Sequence, residues 1–296
     1  TMADWRLPDD QFLASFKLVE KSADRLAAQS PHPRDRRIAF NEERHEYLID
    51  GCKIAPRSTT GFLHSFASPW NPQAALRAMK QGRQWNEKRA ALEEQGLGIG
   101  DTEIMAQWER SGQVARCRGT LLHFHAEMHA NGYQIEPPHS KEFSQAMALF
   151  RNLVDDLELQ PYRTEMSVFH CGLRLAGQID LLMRNPTTGE IVVVDWKRAR
   201  EVKFENPFGH LQYPLQHLPD ENGWLYGLQV NLYGHILESE YEMTIGGHYL
   251  AVVHPDYERG RLIACPNMKR EIQAVVEYEI EYGRASAPKS GADAPF

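Results

Sequence analysis

The pattern of apolar positions predicts a β-sheet core in the second half of the chain. Residues 191–196 carry apolar side chains on both faces, which is typical of a central strand covered from two sides. Asn185, Pro186 and Gly189 precede this run and mark a tight turn. We therefore expect a meander of three strands, over residues 161–170, 173–184 and 190–197.

Periodic apolar positions predict helices on either side of this core. The predicted helices cover residues 8–29, 73–95, 101–130, 140–157, 224–237 and 268–283. Further strands are predicted over 38–40, 47–49, 243–253 and 260–264, the first two as a hairpin. The fold class is therefore α/β with a mixed, α+β-like sheet. We expect a mainly helical N-terminal region with a short hairpin over 1–110, a core over 111–284 and a disordered polar tail over 285–296.

Composition narrows the functional classes. No run of about 18 apolar residues occurs, so no membrane span is expected. The N-terminal residues lack the basic and then apolar order of a secretory signal. The 4 cysteines are scattered singly, which argues against a zinc ribbon or an iron–sulfur cluster and favours a reducing, intracellular compartment. The net charge of −7 argues mildly against a nucleic-acid partner, but local charge matters more than the sum.

The end of the predicted central strand carries the first candidate chemistry. Side chains alternate along a strand, so Asp195 and Lys197 share one face while Trp196 points to the other. Antiparallel pairing through the preceding turn can bring Asp180 to the same end. Two carboxylates and a lysine suit a divalent cation and a phosphate. The alternative interpretation is a solvated strand end.

A second cluster lies on the predicted helix over 101–130. Gly119, His123 and Glu127 are four residues apart, so they share one face of that helix. Such a histidine is either a metal ligand or an ordinary packed or exposed residue. On the helix over 224–237, Gln229 and Tyr233 are likewise one turn apart.

Four short motifs occur in an order that resembles a known superfamily. They are GTLLH (119–123), GQID (177–180), DWK (195–197) and QVNLY (229–233). In this order they resemble the PD-(D/E)XK nuclease superfamily, within it the RecB-like exonuclease branch, over roughly residues 115–255. The resemblance implies a restriction-endonuclease-like core. Because the chain lacks the cysteines of the cluster-bearing members, it is more similar to cluster-free mitochondrial genome-maintenance and viral exonucleases.

The resemblance also implies roles for individual residues. The implied metal ligands are His123, Asp180, Asp195 and the backbone carbonyl of Trp196. Lys197 is expected to orient the attacking water or stabilise the transition state. Glu165 is expected to complete the acidic set through water or a second metal, and Gln229 and Tyr233 to position the lysine or the DNA backbone. Carboxylates suit Mg²⁺ or Mn²⁺, and an imidazole shifts the preference toward Mn²⁺, so one or two such ions are expected.

Basic residues are expected to surround this acidic site. The helix predicted over 73–95 is markedly basic, which indicates either a solvated face or a wall that contacts phosphates. The candidate nucleic-acid contacts are Arg77, Lys80, Arg83, Arg116, Arg118, Arg198, Arg200 and Lys203.

The sequence therefore predicts a metal-dependent nuclease, specifically a DNA exonuclease that acts on single-stranded ends. The helical N-terminal region would cover or thread the strand. One alternative is an endonuclease on DNA or RNA. Another is a nucleic-acid-binding module without activity, against which the intact Asp180, Asp195 and Lys197 count.

Overall fold

The computed structural model describes residues 7–16, 23–41, 46–50, 52–53, 57–134 and 139–283. The α-helices of this part of the chain are α1 (Asp9–Ser15), α2 (Arg25–Gln29), α3 (Thr59–His64), α4 (Pro72–Gln81), α5 (Trp85–Glu94), α6 (Asp101–Ala130), α7 (Lys141–Arg151), α8 (Asn222–Glu240) and α9 (Lys269–Tyr278). The strands are β1 (Ile38–Asn41), β2 (Glu46–Ile49), β3 (Cys52–Lys53), β4 (Arg57–Ser58), β5 (Gln160–His170), β6 (Leu175–Arg184), β7 (Ile191–Arg198), β8 (Ile245–Val253) and β9 (Arg261–Ala264).

The main sheet is mixed, as the sequence predicts. Strands β5, β6 and β7 form the expected antiparallel meander, and β8 then pairs with β7 in parallel, with β9 antiparallel at its side. Helix α8 makes the crossover between the two parallel strands. Asn185 closes the turn between β6 and β7, because its side-chain oxygen accepts from the backbone N–H groups of Thr187 and Thr188.

One edge of β6 changes its partner along its length, and this positions the functional site. At the start of β6, residues 175–176 pair in parallel with β4. Toward its end, residues 181–184 pair with β7. Among the described strands neither partner pairs with residues 177–180, whereas β5 runs along the opposite edge and pairs with residues 177–179. The motif GQID therefore lies at a gap in the sheet.

The two faces of the sheet are covered by different helices. Helices α3, α8 and α9 pack on one face, and α1, α6 and α7 pack on the other. Residues 191–196 of β7 are all buried between these layers, which confirms the predicted central strand. The gap at residues 177–180 is thus within reach of α6 on one side and α8 on the other.

Several predicted helices differ in extent from the observed ones. The helix predicted over 8–29 is wrong, because α1 ends at Ser15 and Phe16 is extended with ψ 127°. The basic segment 73–95 forms two helices, since Gly82 is extended with ψ 151° and ends α4. By contrast, α6 runs without a break through Gly112 and Gly119.

Two predictions on chain organisation remain open. The predicted boundary between residues 110 and 111 lies inside α6, and the division into two regions stays a prediction. The predicted tail, 285–296, lies outside the described residues. Within the described ranges, no helix combines the length and apolarity that crossing a bilayer requires.

Candidate active site

A cleft of about 810 Å³ opens at the gap in the sheet. Its walls come from α6, from the start of α3, from the β1–β2 hairpin and from the exposed edge of β6. The residues that the sequence predicts as catalytic or metal-binding side chains all line it: His123, Glu165, Asp180, Asp195, Lys197, Gln229 and Tyr233. The structure therefore brings together residues from five elements, namely α6, β5, β6, β7 and α8.

Asp180 lies at the centre of this arrangement because β7 separates from β6 at this point. The last paired residues are Leu181 and Val194. Beyond them the backbone N–H of Trp196 donates to Oδ2 of Asp180 at 2.7 Å. A side chain thus takes the place of a backbone acceptor, which fixes the carboxylate at the end of β7.

Glu165 faces Asp180 from the neighbouring strand. The register pairs Thr164 with Leu181 and Met166 with Ile179, so Glu165 stands opposite Asp180. Its φ of 45° is in the left-handed region, where a residue with a side chain is strained. Such strain often marks a functional position.

His123 completes a cluster of potential metal ligands. Its Nδ1 lies 3.5 Å from Asp180 Oδ1 and 3.9 Å from Glu165 Oε1. One ligand atom from each of these three residues lies within 4.8 Å of the others. His123 lies on α6, and the start of this helix is capped by Glu103, whose carboxylate accepts from the backbone N–H of Gly100 at 2.8 Å.

The charges in the cluster interact strongly. Burial alone would lower the pKa of His123, but Asp180 and Glu165 raise it to about 9. Burial and the charge of Asp180 raise the pKa of Glu165 well above its usual value. Burial opposes ionisation of Asp180 as well, yet the charge of His123 and a hydrogen bond from it hold the pKa of Asp180 below its usual value. Crowded carboxylates need nearby positive charge in order to stay ionised.

Asp195 and Lys197 form a second pair at the end of β7. Lys197 Nζ lies 2.6 Å from Asp195 Oδ2 and donates to Oε1 of Gln229 at 3.2 Å. Burial raises the pKa of Asp195 to about 6 in spite of this lysine. Burial lowers the pKa of Lys197, but Asp195 and Asp180 outweigh it and raise that pKa above its ordinary value, so the lysine stays charged. The ring of Tyr226 lies 4.8 Å from Nζ and holds the ammonium from another side.

The donor set fits a divalent cation. Carboxylate oxygens with one imidazole nitrogen, held close together in a half-buried cleft, are ligands that Mg²⁺ and Mn²⁺ accept. The like charges of Glu165 and Asp180 on adjacent strands would otherwise repel each other. A bound cation supplies the compensating charge.

Gly177 explains why the motif GQID begins with glycine. A Cβ at this position would lie 2.6 Å from Thr59 Oγ1 and 2.7 Å from Cε1 of Tyr233. Both of those residues are buried, and Thr59 donates to the carbonyl of Ala176 at 3.1 Å. The glycine therefore lets α3 and α8 close over the strand.

Sequence reasoning missed Thr59 and Tyr226 because neither belongs to a motif. The nearest signal for Thr59 is Ser58, a good N-cap that accepts from the backbone of Gly61. That signal predicts a helix start but not its contact with β6. For Tyr226 the only signal is its position three residues before Gln229 on a predicted helix.

The predicted nucleic-acid contacts fall into three groups. Arg116 lines the cleft, with 67 % of its side chain exposed. Two arginines are instead used inside the protein. Arg198 forms a buried ion pair with Glu142 at 3.0 Å, and Arg118 pairs with Asp9 and lies over the ring of Phe12. Both guanidinium groups are thus engaged within the protein, and their roles as nucleic-acid contacts stay predictions.

The remaining basic residues lie outside the cleft lining. Lys80 pairs with Asp101 at 2.5 Å. The exposed side chains of Arg200 and Lys203 pair with Asp256 and Glu201. Arg77 and Arg83 are exposed, the first on α4 and the second just after it. Their roles as phosphate contacts stay predictions.

Comparison with known proteins agrees with this geometry. The family model of the PD-(D/E)XK nuclease superfamily matches residues 71–281, which is more than half of the chain. The chain belongs to this superfamily. Members of the superfamily are nucleases that use divalent metals, so its substrate class is nucleic acid.

Two solved structures show more distant similarity, and the comparison with curated proteins gave no match. The crystal structure of SSO0001 is 14 % identical with a TM-score of 0.28, and the match covers 78 % of this chain and 76 % of that one. A Eubacterium rectale protein named "Putative exonuclease" is 14 % identical with a TM-score of 0.30, and the match covers 48 % of this chain and 52 % of that one. The chain thus spans about half the length of the second protein.

Replacing Gly177 with alanine should destabilise the protein and reduce cleavage. The added methyl group overlaps Thr59 and Tyr233, and overpacking of this kind costs about 1–3 kcal/mol. Urea unfolding measures the stability and a nucleic-acid cleavage assay measures the activity. Gly119→Ala is the matched control for stability, since a Cβ there meets no described atom within 4 Å and alanine favours a helix interior. Equal unfolding midpoints for the wild type and Gly177→Ala would contradict the packing argument.

Proposed function

We propose that this protein is a metal-dependent exonuclease that removes nucleotides from the ends of single-stranded DNA. The observation that carries the proposal is the convergence of His123, Glu165 and Asp180 with the pair Asp195–Lys197 in one cleft. The four motifs in their order support placement in the RecB-like branch of the superfamily. The exonuclease mode and the preference for single strands belong to the proposal.

The cation would be held by side chains of three elements. We assign His123 from α6, Asp180 from β6 and Asp195 from β7 as ligands, with the backbone carbonyl of Trp196. Glu165 contributes through water or a second ion. When bound, such an ion neutralises phosphate charge, activates water and stabilises the leaving oxygen.

Lys197 acts on the reacting phosphate. Its ammonium is held by Asp195 and Gln229, so it is charged and oriented before the substrate arrives. A fixed positive charge aimed at the phosphate stabilises the negative charge that develops in the transition state. We assign Gln229 and Tyr233 as positioning residues, because Oε1 of Gln229 accepts from the lysine and Tyr233 lies one helical turn further on in the same cleft.

The walls of the cleft favour a single strand. Proteins that bind single-stranded nucleic acid combine basic side chains with aromatic rings on which bases stack. Here Arg116 lines the cleft with Phe40, Tyr47 and Phe124. The rings of Phe40 and Tyr47 are 4.7 Å apart. Outside the cleft, the exposed cations Arg77 and Arg83, with Lys80 between them, extend the basic surface that we propose for the strand.

Asp195→Asn should abolish cleavage while leaving the fold intact. The substitution removes a ligand charge with little change in volume, and loss of the ion should lower the rate by about 10³-fold or more. An Asp195→Asn variant with more than about a tenth of wild-type activity would show that the assignment of this site is wrong.

Lys197→Ala should also be inactive but should still bind Mn²⁺, which calorimetry measures.

The exonuclease mode is tested with substrates that differ only in their ends. Linear single-stranded DNA should be degraded with Mg²⁺ or Mn²⁺ and not with a chelator, because the reaction depends on the ion. Circular single-stranded DNA of the same sequence should resist. Degradation of the circle at the rate of the linear strand would indicate an endonuclease, and activity with chelator present would refute the metal-dependent mechanism.

A further inference from the structure

Two tryptophans outside the cleft lining form an aromatic pair, in which Trp70 is exposed and Trp108 is half-buried. Trp70 lies two residues before the start of α4 and is 74 % exposed. Its ring centroid lies 6.3 Å from that of Trp108 on α6, with an angle of 57° between the planes. Tryptophan has the largest apolar surface of any side chain, so an indole in water is available to another flat apolar group.

Trp108 lies on the face of α6 that leads to the catalytic cluster. Its position is 15 residues before His123 and eight before Arg116, and at about 100° per residue all three fall within one face. At a rise of 1.5 Å per residue, Trp108 is about 22 Å from His123 along the helix. Arg116 stands about halfway between them.

The face between the tryptophan and the histidine is open. Gly112 and Gly119 lie on it and carry no side chains. A Cβ at Gly119 would meet no described atom within 4 Å, so packing within the described protein does not account for a glycine in the middle of α6. Glycine weakens a helix interior, but it lets another chain approach the helix backbone closely. A nucleic-acid strand that passes along this face of α6 would account for the glycine at position 119.

We propose that Trp70 and Trp108 form a stacking site for a base of the substrate strand, several nucleotides away from the bond that is cleaved. This inference rests on the proposed function and adds to it a second contact region outside the cleft. Flat aromatic rings bind the bases of single strands without regard to sequence. The site therefore holds unpaired bases, which a duplex would not present.

The charges along the path suit a nucleic-acid backbone. Arg116 is exposed between the two ends, and its ion pair with Glu109, at 3.4 Å between exposed groups, is weak enough for a phosphate to replace it. Basic helix α4 begins two residues after Trp70 and carries Arg77 and Lys80. A phosphate chain between the stacked base and His123 would thus pass exposed cations.

The length of the strand is the first variable of the test. Two single-stranded DNAs, of about three and about twelve nucleotides, are chosen because site sizes of single-strand-binding proteins are about 4–16 nucleotides. The protein is titrated into each DNA in the presence of Ca²⁺, and fluorescence anisotropy measures binding. Trp70→Ala should weaken binding of the long strand by about 5- to 140-fold, the range for loss of one stacked base. Binding of the short strand, which cannot reach the tryptophans, should not change. Trp70→Phe should retain most of the affinity for the long strand.

An abasic nucleotide provides the second variable. The abasic nucleotide is placed at successive positions of the long strand. At one or two of these positions it should weaken binding to the wild type. The same substitution should have no effect on binding to Trp70→Ala, because both changes remove the same contact. Tyr282→Ala is the matched control, an exposed aromatic residue outside the cleft lining that should leave binding unchanged. Equal affinity of Trp70→Ala and the wild type for the long strand would overturn the stacking site, as would an abasic effect that persists in the variant.

Failure of the proposed function gives a different result. If the wild type cleaves no strand with Mg²⁺ or Mn²⁺ while Trp70→Ala still loses length-dependent binding, the stacking site stands and the nuclease activity does not. If the wild type cleaves linear strands and Trp70→Ala binds them equally well, the activity stands and the stacking site is refuted.

Discussion

Two carboxylates, Glu165 and Asp180, lie opposite each other on adjacent strands with His123 between them and α6 above. Like charges at this spacing repel each other, and burial strengthens the repulsion because water does not screen it. The arrangement lowers stability unless positive charge is present. His123 supplies some of that charge in the structure, and a divalent cation would supply more. Much of the surrounding structure serves to hold these groups in place.

The gap in the sheet is what makes room for the cluster. Strand β6 exchanges β4 for β7 along one edge, so residues 177–180 keep only one neighbouring strand. The backbone N–H of Trp196 donates to the carboxylate of Asp180. Gly177 leaves room for Thr59 of α3 and Tyr233 of α8. The same break in pairing therefore fixes the carboxylate of Asp180, admits helix α8, which carries Gln229, and opens the cleft. A continuous sheet would have paired these backbone groups with each other.

The sequence predicted the meander and most of the site for a simple reason. The turn at Asn185 fixes the register of β6 and β7, and the register alone brings Asp180 to the end that carries Asp195. Helical spacing likewise predicted the common face of Gly119 and His123. Both relations join residues that are close in the sequence, so the local sequence pattern determines them.

The parts that the sequence did not predict depend on contacts between distant segments. Thr59 reaches the site only because β4 pairs with the start of β6. Arg198 was predicted to contact nucleic acid, but the chain folds it against Glu142 of α7, and an alternation pattern gives no sign of that partner. The placement of Thr59 and Arg198 therefore became clear only from the tertiary structure, whereas the placement of Asp180 and Asp195 on the strands could be predicted from the sequence.

The central claim, that the cluster holds a divalent cation, is tested most directly without any substrate. Mn²⁺ titrated into the protein can be followed by the electron paramagnetic resonance signal of the free ion. The wild type should bind one or two ions, and Asp180→Asn should bind fewer or bind them far more weakly. Asp256→Asn, which changes an exposed carboxylate paired with Arg200, should bind as the wild type does. Identical binding curves for the wild type and Asp180→Asn would contradict the account.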